Sequence, residues 1–338
     1  MILDALGLII TWKCTARCGH CGVNCTPERT EHMSLKDALS HVDALSYVAS
    51  RSSLGQRFGL SVSGGESFLY LDELETIIEY AHKKSLVVSA VTNGFWAESL
   101  EKTIALLSRL QNKGLAQLHI STDDWHSEYI GLDKVRNVIE ACDRLSLNLN
   151  IKIVKNGGSR LRKATLFKML SIEPTSSLEK GLLVIEEAAL MPFGRAANLS
   201  NIVNRTDLLK GYPCKAAGAT AAVTPEGAFY GCCGIGGLSD HAGKNATYLG
   251  NVREAGLVPL LELLEGVLLI SLLRTIGPVT ILKLAQRLDP EVKIRESYWG
   301  LCHACQDISN PEENRRGVAK LLQYLQKEPE LWKDFPKA

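Results

Sequence analysis

The sequence predicts an α/β protein in which a parallel sheet forms an open, partial (β/α)6 TIM-like barrel, followed by a small C-terminal domain. Apolar strand-like runs alternate six times with amphipathic helical runs in the first two-thirds of the chain. This alternation is typical of parallel strands joined by right-handed helical crossovers. Six units are fewer than the eight of a closed barrel. The alternation stops after about residue 197, which predicts domains over 1–200 and 201–338.

The elements of the barrel follow one another at short intervals. Strands are expected at 6–11, 60–63, 86–91, 118–121, 149–154 and 182–185. Helices are expected from Ser34 onward and at about 72–84, 98–111, 132–145 and 165–170. Asp37 follows Ser34 by three residues, as in a capping box at a helix start. The carboxyl ends of the strands, where the βα loops gather, are the expected place for chemistry.

The second domain has a different pattern. Apolar runs at 221–224 and 228–230 flank Pro225-Glu226-Gly227, which indicates a hairpin. A leucine-rich helical region follows at 257–287, interrupted at Gly277-Pro278, and a final helix is expected at 311–326.

Composition excludes several classes of protein. The chain has 338 residues, 46% hydrophobic and 22% charged, which is typical of a folded protein and not a disordered one. Lys+Arg total 38 against 37 Asp+Glu, which gives a net charge of +1. This charge is too small to favour nucleic acid or an anionic membrane as a partner. The first residues lack the basic region of a signal peptide, and no apolar run reaches the roughly 20 residues of a membrane span. We therefore expect a cytoplasmic protein.

Ten cysteines are many for such a protein, and in a reducing compartment clustered cysteines indicate metal binding or catalysis. Cys14, Cys18 and Cys21 follow the first predicted strand with spacing C-x3-C-x2-C. Three thiolates in one short loop can hold three corners of a 4Fe–4S cluster, leaving one iron open to another ligand. Cys25 is a possible fourth ligand, and a zinc site is the alternative.

This loop, with His20 before its third cysteine, resembles that of the radical S-adenosylmethionine (radical SAM) superfamily. The resemblance implies that Cys14, Cys18 and Cys21 hold the cluster. Its open iron would bind the amino and carboxylate groups of S-adenosylmethionine (AdoMet). Electron transfer to AdoMet would release a 5′-deoxyadenosyl radical, which abstracts a hydrogen atom from the substrate.

Further motifs resemble the same family, in the same order, over roughly residues 6–200. Gly64-Gly65-Glu66 resembles the GGE motif, which implies contact with the methionyl amine of AdoMet. The resemblance also implies that Asn93 lies beside AdoMet and that Ser121 faces its ribose.

Pro192-Phe193-Gly194-Arg195 is a motif found in relatives that carry C-terminal clusters. Downstream, Cys214, Gly227 and Cys232 form C-x12-G-x4-C, which resembles the start of the SPASM and twitch extensions of radical SAM enzymes.

The resemblance to these extensions implies one auxiliary 4Fe–4S cluster. Together with the C-x2-C pair Cys302 and Cys305, Cys214 and Cys232 would saturate that cluster, with zinc as the alternative. One auxiliary cluster fits the twitch form better than the full SPASM form, which needs more cysteines.

Cys233 directly follows Cys232 near the end of a predicted strand, and neighbours in an extended chain point to opposite sides. If Cys232 faces the cluster, Cys233 faces away and is free to donate a hydrogen atom to a carbon radical. This arrangement resembles that of radical peptide epimerases, although simple packing is an alternative. Cys25 and Cys142 stay unassigned, and His126 has either a proton-transfer or a structural role.

The leading hypothesis is therefore a radical SAM enzyme that epimerises residues of a ribosomally made precursor peptide, with Cys233 as hydrogen donor. It would use two 4Fe–4S clusters, AdoMet and a reducing partner such as flavodoxin or ferredoxin. The alternatives are a peptide-crosslinking cyclase (carbon–carbon, thioether or ether), a small-molecule dehydrogenase, and a non-catalytic metal-binding or redox-sensing protein.

Overall fold

A computed structural model describes residues 3–51, 58–173, 180–199, 211–234, 238 and 245–328. Within these residues nine strands form one sheet in the order β6-β5-β4-β3-β2-β1-β7-β8-β9. The strands are β1 (Ala5–Ile9), β2 (Gly59–Ser63), β3 (Val87–Thr92), β4 (Leu115–Ser121), β5 (Asn148–Lys155), β6 (Leu183–Ala189), β7 (Thr220–Val223), β8 (Ala228–Tyr230) and β9 (Tyr248–Asn251).

Strands β1 to β6 are parallel, and each pairs with the next strand of the barrel. This is the predicted α/β fold, and it is confirmed. Strand β7 pairs with β1 in parallel, Ala5 opposite Thr220, while β8 and β9 add antiparallel pairs. The sheet therefore continues from the barrel into the C-terminal part. The boundary predicted near residue 200 adjoins positions outside the described residues.

Five helices follow the strands of the barrel: α1 (Leu35–Ser50), α2 (Leu71–Lys83), α3 (Leu100–Asn112), α4 (Leu132–Leu145) and α5 (Leu166–Leu170). Ser34 caps α1 as predicted, since its hydroxyl accepts a hydrogen bond from the Asp37 N–H. Alternate strand residues, such as Leu6 and Leu60, pack in one core with the apolar faces of these helices. We call this face of the sheet the outer face and the opposite one the inner face.

The C-terminal helices are α6 (Val252–Ala255), α7 (Leu257–Leu264), α8 (Leu268–Thr275), α9 (Gly277–Leu288), α10 (Leu301–Ser309) and α11 (Glu312–Lys327). Gly277 has a φ of +75° and lies so close to Tyr212 that a Cβ would meet its carbonyl oxygen, which accounts for the predicted break there. A second break, between α7 and α8, was not predicted, and neither were α10 and β9. Among the described helices none alone is long and apolar enough to span a membrane; α8 and α9 pass that test only as a pair bent by 114°.

Candidate functional site

The four N-terminal cysteines lie in the loop that follows β1, at the carboxyl edge of the sheet, and they line one cavity of about 150 Å³. Cys14, Cys18 and Cys25 are buried, and Cys21 is half-buried. Two further residues of the cysteine loop and residues at or after the neighbouring strand ends complete the wall: Ala16, Val23, Gly64, Gly65, Val91, Thr92, Asn93, Ser121, His126 and Arg195. The loop motifs singled out in the sequence therefore meet around one space.

Burial controls the chemistry of these thiols. It raises the pKa of Cys14 to about 11 and of Cys18 to about 12. A hydrogen bond from Cys25 instead lowers the pKa of Cys21. Cys25 therefore lies beside the predicted ligands. The sequence alone left open whether it does.

The glycine pair Gly64-Gly65 allows the loop after β2 to lie directly on the cysteine loop. The Gly65 N–H donates to the Thr11 carbonyl at 2.7 Å. A Cβ at Gly65 would lie 2.3 Å from the Lys13 carbonyl oxygen. Any side chain at this position would separate the two loops, so the close approach requires glycine.

Glu66 lies behind the cavity wall, with 1% of its surface exposed. Its carboxylate accepts hydrogen bonds from the Asn93 N–H at 2.7 Å, the Thr92 hydroxyl at 2.9 Å and the Phe68 N–H at 3.1 Å. Burial raises the pKa of Glu66 to about 7. The carboxylate thus positions Thr92 and Asn93, which line the cavity.

Asn93 connects the loop after β3 to the cysteine loop. Its side-chain amide donates to the Thr15 hydroxyl at 3.0 Å and approaches the Cys14 sulfur at 3.8 Å.

Arg195 fixes the cysteine loop from the other side. Its Nε donates to the Cys18 carbonyl at 3.0 Å, and its Nη2 donates to the Cys25 carbonyl at 2.8 Å. Its backbone N–H donates to the Cys21 carbonyl at 3.1 Å. Three bonds from one residue therefore hold the loop at three of its four cysteines, and the guanidinium places a positive charge beside the thiols.

Asp123 organises the two histidines of the site. It is fully buried, and its Oδ2 lies 2.9 Å from His126 Nδ1 and 3.3 Å from His20 Nε2. Burial opposes ionisation of Asp123, but the hydrogen bonds and charges of the two histidines outweigh it and hold its pKa below the ordinary range. His20 also stacks on Trp125, with ring centroids 5.0 Å apart.

The Nδ1 atom of His20 is buried and has no hydrogen-bond partner within the described part of the chain. The possible ligand atoms of Cys18, His20 and His126 lie within 4.8 Å of one another. This side of the cavity therefore offers nitrogen as well as sulfur to a metal.

Replacing Asp123 with asparagine should destabilise the protein by about 3 kcal/mol or more, because it removes the buried carboxylate that both His20 and His126 contact. Since the pKa of Asp123 is depressed in the fold, its contribution is full above the unfolded pKa of about 4 and is lost progressively as the pH falls below it. Chemical denaturation at pH 7 and at pH 3 measures this. The difference in unfolding free energy between the parent and Asp123→Asn should narrow by about 1 kcal/mol at pH 3; an equal difference at both pH values would contradict the assignment.

The remaining predicted ligands also converge. Cys214, Cys232, Cys302 and Cys305 line a second, smaller cavity of about 20 Å³. Burial raises the pKa of Cys232 to about 12 and that of Cys305 well above its ordinary value. A Cβ at Gly234 would lie 3.1 Å from the Cys232 sulfur and 3.3 Å from the Cys302 sulfur, so glycine leaves room for the sulfurs to meet. Helix α10, missing from the prediction, carries the C-x2-C pair.

Cys233 points away from this cluster of thiols. Its side chain is exposed, and its sulfur donates to the Thr220 hydroxyl at 3.1 Å. A Cβ at Gly7 would lie 3.8 Å from the Cys233 Cβ. Gly7 alternates along β1 with Leu6 and Leu8 of the outer core, so Cys233 lies over the inner face.

Cys142 is different from all the others. It is buried on α4 within the core, with no charged neighbour to influence it, and burial raises the pKa of its thiol. Packing accounts for it.

No family model matches the chain. It is 26% identical over 177 residues to the "Putative peptide biosynthesis protein YydG" of Bacillus subtilis (strain 168). That match covers 47% of this chain and 53% of YydG, so it spans about half of the curated relative.

Two solved structures match over nearly the whole chain. One is anSMEcpe with bound AdoMet, with a TM-score of 0.55 and 13% identity over 96% of this chain and 93% of that one. The other is anSMEcpe with bound AdoMet and a peptide, with a TM-score of 0.54 and 14% identity over 96% and 97%. The chain has the radical SAM fold.

The residues present fit the groups that the radical SAM fold implies. Buried thiols with raised pKa values ionise when a metal compensates their charge, and both cavities gather cysteines in this state. Sequence reasoning predicted seven of the eight cysteines of the two cavities as ligands and left Cys25 open. It left Thr92 and Arg195 unassigned, although Thr92 directly precedes Asn93 and Arg195 ends a recognised motif.

Proposed function

We propose that this protein is a radical SAM enzyme that converts L-residues of a ribosomally made peptide to D-residues, with Cys233 as the hydrogen-atom donor. The observation that carries the proposal is the placement of Cys233: its thiol is exposed and lies over the inner face, whereas Cys232 lines the second cavity. The relatives support a peptide substrate, since one is named for peptide biosynthesis and another was solved with a peptide.

Two 4Fe–4S clusters would be held by the two sets of cysteines, Cys14, Cys18 and Cys21 in the first cavity and Cys214, Cys232, Cys302 and Cys305 in the second. The first cluster, when bound, supplies the electron that cleaves AdoMet. Gly64, Gly65, Asn93 and Ser121 line the same cavity and would hold AdoMet there. His20 and Glu66 would act from behind the wall as positioning residues.

Cys233 lies over the middle of β1, and the first cavity lies beyond its end. The Cys233 Cβ is 3.8 Å from the position of a Cβ at Gly7. The cysteine loop begins after Ile9, about 7 Å further along at about 3.3 Å per residue. A peptide held on the inner face between them would meet AdoMet chemistry on one side and the Cys233 thiol on the other.

The hydrogen balance follows from this arrangement. One hydrogen atom would pass from the Cα of an L-residue to the 5′-deoxyadenosyl radical, which becomes 5′-deoxyadenosine. The Cys233 S–H bond would then break to deliver one hydrogen atom to the opposite side of that Cα. The Cys233 sulfur then needs one electron and one proton before the next turnover. A reducing protein such as flavodoxin or ferredoxin would supply the electron, and water the proton. A cytoplasmic reaction is part of this proposal, because it depends on such a reductant.

The test is mass spectrometry in deuterated water with the reconstituted protein, AdoMet, a reductant and a mixture of synthetic capped L-peptides. The Cys233 thiol exchanges with solvent, so each converted residue should gain one deuterium and hydrolyse to a D-amino acid. A crosslinking enzyme would instead remove two hydrogens, and that result would replace epimerisation as the function.

Cys233→Ser tests the donor. A hydroxyl can keep the contact with Thr220 but is a poor hydrogen-atom donor because its O–H bond is much stronger than S–H. We expect roughly 100-fold less D-residue with 5′-deoxyadenosine still formed, whereas Cys142→Ala in the core should lower neither. If the Cys233→Ser variant epimerised the peptide normally, Cys233 could not be the hydrogen-atom donor.

A further inference from the structure

Strands β4 to β6 present a polar cluster on the inner face, well away from the cysteines. We call His119, Asn150, Lys152 and Glu186 the inner-face cluster. Each alternates along its strand with outer-core residues, which include Leu118, Ile120, Leu149, Ile151 and Ile185. Because side chains of a strand alternate between faces, the four polar side chains lie together on the inner face.

Contacts across the strands connect these residues. Asn150 Nδ2 donates to Glu186 Oε1 at 2.8 Å, and the Lys152 ammonium forms an ion pair with the same carboxylate. His119 is the register partner of Asn150, and Lys152 is that of Glu186. Burial and the charge of Lys152 lower the pKa of His119, against the opposing charge of Glu186, so its ring is neutral near pH 7 and offers one N–H donor and one acceptor.

One atom of the cluster has no hydrogen-bond partner among the residues that the structure describes. Asn150 is 6% exposed, and its buried Oδ1 accepts no hydrogen bond from any of them. The amide cannot be turned round to correct this, because the Glu186 carboxylate only accepts and must face the Asn150 N–H. A buried carbonyl oxygen without a donor is costly, so this atom marks a place where a ligand N–H would fit.

The surroundings leave room for such a ligand. The Lys152 and Glu186 side chains are each 47% exposed although they lie on the concave side of the sheet. Small residues lie on the inner face of β1 to β3, Gly7, Ser61 and Ser89, and the strand register places them level with Gln117, two residues before His119 on β4. Ser121 lines the first cavity, and His119 lies two residues earlier on β4, about 7 Å away along the strand.

A secondary amide matches these groups: its N–H suits Asn150 Oδ1, and its carbonyl suits the His119 ring N–H or the Lys152 ammonium. Lys152 and Glu186 neutralise each other, so the cluster favours an uncharged ligand group. We propose that the inner-face cluster binds a backbone amide of the peptide substrate next to the residue that is modified. This rests on the proposed function and assigns a substrate-binding site within it.

The experiment compares Asn150→Leu with Lys155→Met in the reconstituted protein. Leucine has nearly the same volume as asparagine but cannot accept the amide N–H. Lys155 forms the equivalent ion pair, with Glu187, on the outer face of the same two strands, so its loss is a matched control. The probe is the most strongly labelled peptide from the deuterium assay, and iron content and circular dichroism check that each variant is loaded and folded.

We expect Asn150→Leu to raise the KM for the peptide at least about tenfold, with 5′-deoxyadenosine formation in the absence of peptide unchanged. Lys155→Met should change neither. An unchanged KM, or a loss of peptide-independent 5′-deoxyadenosine, would overturn the proposal, the second result because it assigns the cluster to AdoMet. If the parent protein cleaves AdoMet but labels no peptide, the proposed function itself fails and this site fails with it.

Discussion

The variant with Cys14→Ala, Cys18→Ala and Cys21→Ala should contain about four iron atoms per chain after anaerobic reconstitution, against about eight in the parent, and should cleave no AdoMet. The reason is the separation of the two sets of thiols. Cys14, Cys18 and Cys21 line the first cavity, and none of them lines the second. Loss of one set should therefore leave the other cluster in place. Iron and sulfide analysis and chromatography of 5′-deoxyadenosine measure the two effects.

A paired variant supplies the control. Replacing Cys302 and Cys305 with alanine removes two of the four proposed ligands in the second cavity, both from helix α10. This variant should also contain about four irons but should still cleave AdoMet. About four irons in the parent and none in the triple variant would contradict the prediction, and it would mean that the C-terminal cysteines hold zinc or no metal. Zinc analysis distinguishes these two results.

The N-terminal site was predictable because its signals are local in sequence. Three cysteines within one short loop have few spatial arrangements, and a glycine pair after a strand indicates a close backbone approach. The parallel order of β1 to β6 then brings the ends of successive strands together at one edge. Strand order therefore converts motifs that are separate in the sequence into the wall of one cavity.

Other features depend on contacts that no local pattern records. The pairing of β7 with β1 joins Thr220 to Ala5, and this contact continues the sheet instead of starting a second one. Glu66 was expected to contact AdoMet, but three protein donors surround its carboxylate. The inner-face cluster was also missed, because His119, Asn150 and Glu186 are each an ordinary polar residue in a strand. Only the register of β4, β5 and β6 brings them together.

Gly194→Ala should abolish most of the AdoMet cleavage, although residue 194 is far in sequence from any cysteine of the first cavity. Gly194 has a φ of +52°, and a Cβ there would lie 2.6 Å from the carbonyl oxygens of both Cys21 and Gly22. Neither oxygen can move without moving the cysteine loop. The neighbouring Arg195 forms its three bonds to the same loop, so a shift of residue 194 would weaken them as well.

Gly181→Ala provides a matched control, because Gly181 has a φ of +72° and no atom of the described residues lies within 4 Å of the position of its Cβ. Both variants incur the cost of a left-handed alanine, about 1–2 kcal/mol, but only Gly194→Ala also displaces the loop. We expect Gly181→Ala to keep about eight irons and normal AdoMet cleavage, and Gly194→Ala to keep only the four of the second cavity. Equal iron content and activity in the two variants would mean that residues 194 and 195 merely contact the cysteine loop and do not position it.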